Sequence, residues 1–274
     1  MGMSIQTNVS SLEAQRQLFN TQLSLDSSLS KLSSGYRITK AGDDAAGLAI
    51  SSNLQAQIRS YNQASRNAQD GVSLIQTAEG SLNESTNILS RLRELASQAS
   101  SAGVGNTERS YIQNEVGQLI SEIDRIANST EFNGQALLNG ATTLTFQVGI
   151  RNVDANDRIA VSTVNATATS LGINSLSLSS QTGAQNALGT IDSAINSINS
   201  NRATLGAAGN RFTSALNSIQ IQSTNISAAN SRIRDVDVAE ETSKLTRAQI
   251  LLQAGVSTLS QANQIPQISL RLLG

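Results

Sequence analysis

Apolar residues along this chain recur with two periods, and the points where the period changes divide it into five regions. Leu18, Leu25 and Leu32 stand seven apart, with Leu29 between the last two, which predicts a helix from Ile5 to about Ser33. Gly35 then predicts a helix stop, and residues 36–40 read as extended. Asp43 or Asp44 opens a second long helix, to about Ser100, whose stripe includes Leu54, Ile58, Tyr61, Ala68, Val72, Ile75, Leu82, Leu89 and Leu92. After a loop at 102–108, a third helix carries Ile112, Val116, Leu119, Ile123 and Ile126 at alternating spacings of four and three.

The period then drops to two. Leu144, Phe146, Val148 and Ile150 alternate, and so do Ile159, Val161 and Thr163, which predicts a small β-hairpin region, placed at 131–170, with one buried face. The helical rhythm returns from residue 184 to Ile233, through Leu188, Ile191, Ile195, Ile198, Leu205, Phe212, Leu216, Ile219 and Ile226. Such a helix is about 75 Å long, and a heptad held that far implies a supercoil with a partner, here the second helix. Arg202, Gly209, Ser223 and Asn230 weaken that seam. A last helix starts near Asp237, which has capping-box spacing to Glu240, and its stripe includes Leu245, Leu252, Val256 and Leu259. The expected fold is mainly α: an elongated antiparallel helical coiled-coil rod with a small β-hairpin region. Residues 1–42 and 236–274 form a terminal helical domain, and 43–235 the rod domain.

Composition narrows the chemistry. Aromatics are 3% and charged residues 14%, which suits thin helical bundles better than a pocketed enzyme. Histidine and cysteine are both absent, which excludes Ser-His nucleophiles, histidine zinc sites, thiolate sites and disulfides. The net charge of −1 gives no basic excess for nucleic acid or an anionic membrane surface. The most apolar tail stretch, Ile250–Leu259, is too short and too interrupted to span a bilayer. MGMSIQTNVSSLEAQ lacks a Sec-type leader, which taken alone suggests a cytoplasmic protein.

Three motifs offer chemistry. GDDAAG sets Asp43 and Asp44 between Gly42 and Gly47; a helix joint, with Asp caps, Gly42 for the tight turn and Gly47 for close packing, outweighs a two-carboxylate site. DANDR resembles half of a calcium loop but lacks its Gly and distal Glu, so a hairpin turn is expected. Ser28-x-x-Lys31 has none of the partner motifs of the penicillin-recognising enzymes. No catalytic, metal or cofactor residue is assigned. The terminal helix, 241–274, has apolar side chains on all sides among Gln, Ser and Asn, so it needs several neighbours, which other copies of the chain could supply.

SGYRITKAGDDAAGLAIS, NAQDGVSLIQTAEG and SRLRELASQA resemble the amino-terminal signature of bacterial flagellins. TLGAAGNRFTSAL, SRIRDVDVAEETSKLTRAQILLQAGVSTLSQANQIPQ and LRLLG resemble the carboxy-terminal one, and together these cover roughly residues 5–140 and 184–274. The resemblance implies a short filament subunit with little or no outer variable domain, secreted through the flagellar type III apparatus and polymerised outside the cell. It implies as partners other copies of the chain, the export chaperone, the filament cap protein and the hook–filament junction proteins. Toll-like receptor 5 is implied as well, through Leu89, Arg91, Arg93, Glu94, Leu95 and Glu115, with Ser90 and Leu119 departing from the usual pattern. A hook–filament junction protein, or a surface ligand-binding protein on the same scaffold, is the alternative.

Overall fold

The computed structural model describes residues 7–273, with side chains described for 7–264, so the expected helix start at Ile5 lies outside the described residues. The elements in chain order are α1 (Val9–Ser34), α2 (Ala45–Ala99), α3 (Asn106–Ser129), β1 (Glu131–Phe132), β2 (Gln135–Ala136), β3 (Thr143–Gln147), α4 (Asp154–Asp157), β4 (Arg158–Ser162), α5 (Gln181–Arg234) and α6 (Val238–Leu273). They form two compact units. Unit 1 is Met1–Ala56 with Asn225–Gly274, and unit 2 is Gln57–Thr224. These divisions fall inside α2 and α5, whereas the sequence reading placed them at the helix joints.

In unit 2 the helical segments of α2 and α5 run antiparallel. Tyr61 donates to Gln222 at 2.5 Å, Arg202 meets Glu79 at 3.8 Å and Arg93 meets Asp192 at 2.7 Å, so one number rises as the other falls. The buried line on α5 is Ala184, Ala187, Ile191, Ala194, Ile198, Leu205, Ala208, Phe212 and Ile219. Leu188, Ile195 and Leu216, read as seam residues, are half-buried at the edge of this core. Alanine takes the central place beside two of them, because α5 packs on a wide core that also holds α3 and the loop before α5. Ile226, in unit 1, is half-buried as well.

Phe212 shows how tightly this core is built. It is fully buried and meets Phe146 of β3 edge to face, with ring centroids 5.4 Å apart. Gly71 of α2 makes room for it: a Cβ there would lie 2.5 Å from Phe212 Cζ. Asn67 of α2 donates to the Gln147 carbonyl at 2.9 Å and fixes the hairpin on the same helix.

The β region is two hairpins. β1 and β2 pair Phe132 with Gln135 across Asn133-Gly134, whose φ values of 50° and 75° fit the Asn-Gly type I′ turn. β3 and β4 pair from Thr143↔Ser162 to Gln147↔Arg158. The alternation expected to reach Ile150 stops at Gln147, because the Val148 and Gly149 amides both donate to the Asp157 carbonyl. DANDR, expected as a plain hairpin turn, contains the single helical turn α4; Arg158 holds it through Asp154, Asn152 and Gln147. Residues 163–180 have little regular structure, yet they bury Ala166, Ala168, Leu171, Ile173 and Leu178. α3 holds them: Gln113 donates to the Leu176 carbonyl and accepts from the Leu178 amide at 2.6 Å, and Asp124 accepts from the Ala168 amide at 2.7 Å.

A buried cation closes the turn from α2 to α3. Arg109 is 6% exposed; its Nε donates to the Ala99 carbonyl at 2.8 Å and an Nη to the Ser101 carbonyl at 2.9 Å. It satisfies carbonyls that the end of α2 leaves open and puts positive charge at the negative end of the helix dipole.

Two glycine substitutions in α2 are expected to act with opposite sign. Gly71→Val forces Phe212 from its site and costs about 2 kcal/mol or more. Gly80→Ala meets nothing within 4 Å and gains about 0.5–1 kcal/mol of helix propensity. Urea unfolding of the two variants checks this, and a stable Gly71→Val protein would contradict the packing.

Candidate assembly surface

Unit 1 is built on a pair of helices with a very narrow seam. On α1 the covered positions are Ser11, Ala14, Leu18, Thr21, Leu25, Ser28 and Leu32, and on α6 Glu241, Leu245, Ala248, Leu252, Gly255, Leu259 and Ala262. Both keep the three–four rhythm, and large leucines alternate with small residues. That alternation lets the backbones approach, and Cα atoms of α1 and α6 come within 8 Å of each other. At Gly255 an added Cβ would lie 3.1 Å from Leu18 Cγ. The pair is antiparallel. Near one end Asn8 donates to the Ala262 carbonyl and Ser11 to Asn263, both at 2.8 Å, and near the other Ser28 meets Glu241.

Two sequence expectations change here. Leu29 is 47% and Val256 56% exposed, so neither belongs to the seam. Their places are taken by small residues, which are weak markers of burial in a sequence.

A seam this narrow leaves most apolar side chains uncovered. Among the described residues, thirteen large apolar residues are strongly exposed, and ten of them are in unit 1: Val9, Leu12, Phe19, Leu23, Leu29, Ile50, Val238, Ile250, Leu251 and Val256. The buried apolar residues of unit 1 are, among the described residues, Ile38, Ala248 and Ala262. Among its described residues, unit 1 therefore presents more large apolar side chains to its surroundings than it encloses.

Its main buried charge is Glu241, 5% exposed. The Ser28 hydroxyl, first, and the charges of Lys244 and Lys31 hold its carboxyl below the usual range, against the opposing effect of burial. Lys244 sits 3.4 Å from Glu241 and 2.8 Å from Glu240.

The joint between α1 and α2 lies in the same unit. Gly35 ends α1 with φ 74°, its amide on the Lys31 carbonyl. The chain then zips onto the α5–α6 turn: the Arg37 amide donates to the Arg234 carbonyl, the Val236 amide donates to the Gly35 carbonyl, and Arg234 lies 4.2 Å from the Tyr36 ring centre. Asp43 gathers the Thr39 and Lys40 amides and the Thr39 hydroxyl, each at 3.0 Å, and the two amide bonds, first, lower its pKa. Asp44 caps α2 through the Gly47 amide at 2.8 Å. Gly47 is needed because a Cβ would lie 2.8 Å from Ile38 Cδ1. Gly42 has no such neighbour and no positive φ, so the turn is made by Asp43. All the carboxylate bonds in this motif go to the chain's own turn.

The residues implied for receptor contact lie in unit 2 and separate into two groups. Leu89 and Leu95 are 0% and 2% exposed, so they are core residues and not surface ones. Arg91 links Glu115 at 2.9 Å and Glu94 at 3.1 Å, and Arg93 binds Asp192; these five groups are about half exposed or more. The sequence reading passed over Arg109, Gln113 and Gly71. Leu18, Leu25 and Leu32 on α1 and Leu245, Leu252 and Leu259 on α6, each set seven apart, were the legible sign of the α1–α6 seam.

Fold and surface together define a class: a helical protein whose first and last helices form one thin coil with apolar faces turned outward. Comparison with known proteins makes this specific. Residues 5–143 match the bacterial flagellin N-terminal helical region, and residues 188–273 the bacterial flagellin C-terminal helical region. The chain is 43% identical over 288 residues to a flagellar filament 33 kDa core protein of Treponema phagedenis, covering 99% of this chain and 100% of the relative. It is 41% identical over 306 residues to a flagellin of Bacillus subtilis, with the same coverage. The crystal structure of Bacillus cereus flagellin superposes with a TM-score of 0.51 at 33% identity, covering 60% of this chain and 94% of that one. The chain belongs to the bacterial flagellin family, whose members are structural subunits of the flagellar filament. It is a short member, with only residues 144–187 between the two matched regions.

The Glu241 site gives a pH prediction. A depressed folded pKa stabilises the fold fully above the unfolded value of about 4.3, and the contribution is lost as pH falls through the lower folded value. Acidification from about pH 6 to about pH 3 should therefore loosen α1 from α6. In Glu241→Gln this part of the acid response should be missing. Amide NMR signals of the two helices across the titration check it, and equal acid sensitivity in both proteins would contradict it.

Proposed function

We propose that this chain polymerises into the bacterial flagellar filament and serves there as a structural subunit, without catalytic activity. The observation that carries the reading is the distribution of apolar surface. Among the described residues, unit 1 exposes ten large apolar side chains around a seam of leucine and small residues, an arrangement that becomes favourable when further copies cover it. The family membership supports the same reading, since the relatives include flagellar filament core proteins.

Export through the flagellar type III apparatus to the outside of the cell is part of this proposal. So is binding to the export chaperone, the filament cap protein and the hook–filament junction proteins. Toll-like receptor 5 is a further proposed partner, through the exposed Arg91, Arg93, Glu94 and Glu115. Binding of the purified chain to each of these alone checks the proposed partners.

The test of the main reading is nucleated assembly of the purified chain, followed by electron microscopy. Long helical filaments are the expected product. Persistent monomers, or only short capped oligomers as a junction protein would form, would contradict it.

A further inference from the structure

The two flanks of the α1–α6 coil differ in chemistry, and each has what the other lacks. On one flank a groove of about 580 Å³ opens between the helices. Its walls include Lys31, Lys244 and Arg247, with Leu251 as an apolar rim. Lys244 is occupied by Glu240 and Glu241, and Lys31 acts on the Glu241 charge. Arg247 makes no ion pair among the described residues.

The opposite flank follows from the heptad. Leu12, Phe19 and Asp26 stand seven apart on α1, one step beyond seam residues Ser11, Leu18 and Leu25, and so share one side of the helix. Phe19 is 65% and Leu12 56% exposed. Asp26 accepts a hydrogen bond from Gln22 at 3.0 Å and has no cationic partner among the described residues. The positions of α6 on this side, from Thr242 to Asn263, include no lysine or arginine.

We infer that the Phe19–Asp26 flank of one copy docks into the Arg247 groove of a second copy, with Asp26 paired to Arg247 and Phe19 seated beside Leu251. The occupant is a second copy because the unpaired anion and the unpaired cation lie on opposite sides of one coil. Such a contact is heterologous: every copy uses a different face for each neighbour, so it propagates into a ring or a helix instead of closing as a pair. This inference rests on the proposed filament function and specifies which side chains make the lateral contact.

A charge swap tests it. Asp26→Arg and Arg247→Asp are made singly and together, and the critical concentration for nucleated polymerisation is measured by sedimentation. Each single variant should raise it at least about ten-fold, through repulsion where a desolvated pair should form. In the double variant every interface again holds one cation and one anion, and the value should return to within about three-fold of wild type. Circular dichroism of the monomers should be unchanged; if a reversed variant loses helix, the neutral cycle of Asp26→Asn and Arg247→Gln replaces it, with non-additive losses expected. Singles that assemble like wild type, a double no better than the worse single, or an additive neutral cycle would overturn the docking. If wild type itself fails to polymerise, the filament function falls, and the docking falls with it.

Discussion

A pair of helices has one shared seam, and that limit governs unit 1. Each helix can turn only one stripe inward, and here the stripe is made narrow by alternating leucine with Ser, Ala, Thr or Gly. Close approach gains packing along the backbones, but little apolar area is removed from water. Phe19, Leu23, Ile250 and Leu251 are then left outside, at a cost that a lone subunit cannot offset within the unit. Helices of this kind depend on their surroundings for stability, which is the physical basis for an assembling subunit.

Unit 2 meets the same limit differently. There the paired segments of α2 and α5 gain further neighbours: α3, two hairpins and the irregular segment 163–180. Each addition is fixed by a specific polar contact, Asn67 to β3, Gln113 and Asp124 to the irregular segment, and Arg109 to the α2–α3 turn. The result is a core that fully buries Phe212, Leu82, Leu92 and Ile198. One chain thus contains a unit that satisfies its own apolar surface and another that does not.

Much of this was legible in the residues. The five long or medium helical stretches, the β3–β4 alternation and the Asp caps follow from period and capping chemistry, because those rules are local. What was not legible depended on partners. Val256 has the right spacing for a seam yet is exposed, while Gly255 beside it faces Leu18; only the partner helix decides between them. Ala187 and Ala194 displace Leu188 and Ile195 from the centre of the α5 line for the same reason. Leu89 and Leu95 were grouped with surface residues because the resemblance passed on a motif as a unit, although a helix turns its members to different sides. Segment 163–180 has no period at all, and its burial is set by side chains of α3 more than forty residues away in sequence.

Hydrogen exchange tests the central claim most directly, because it compares the stability of the two units amide by amide. It should be measured on dilute protein shown to be monomeric, and again on the assembled filament. The account predicts weak protection of α1 and α6 in the monomer, strong protection of α5 around Ile191–Ile198, and protection of all three in the filament. Monomeric α1 and α6 protected as strongly as Ile191–Ile198 would show that the narrow seam is sufficient by itself, and would contradict the account.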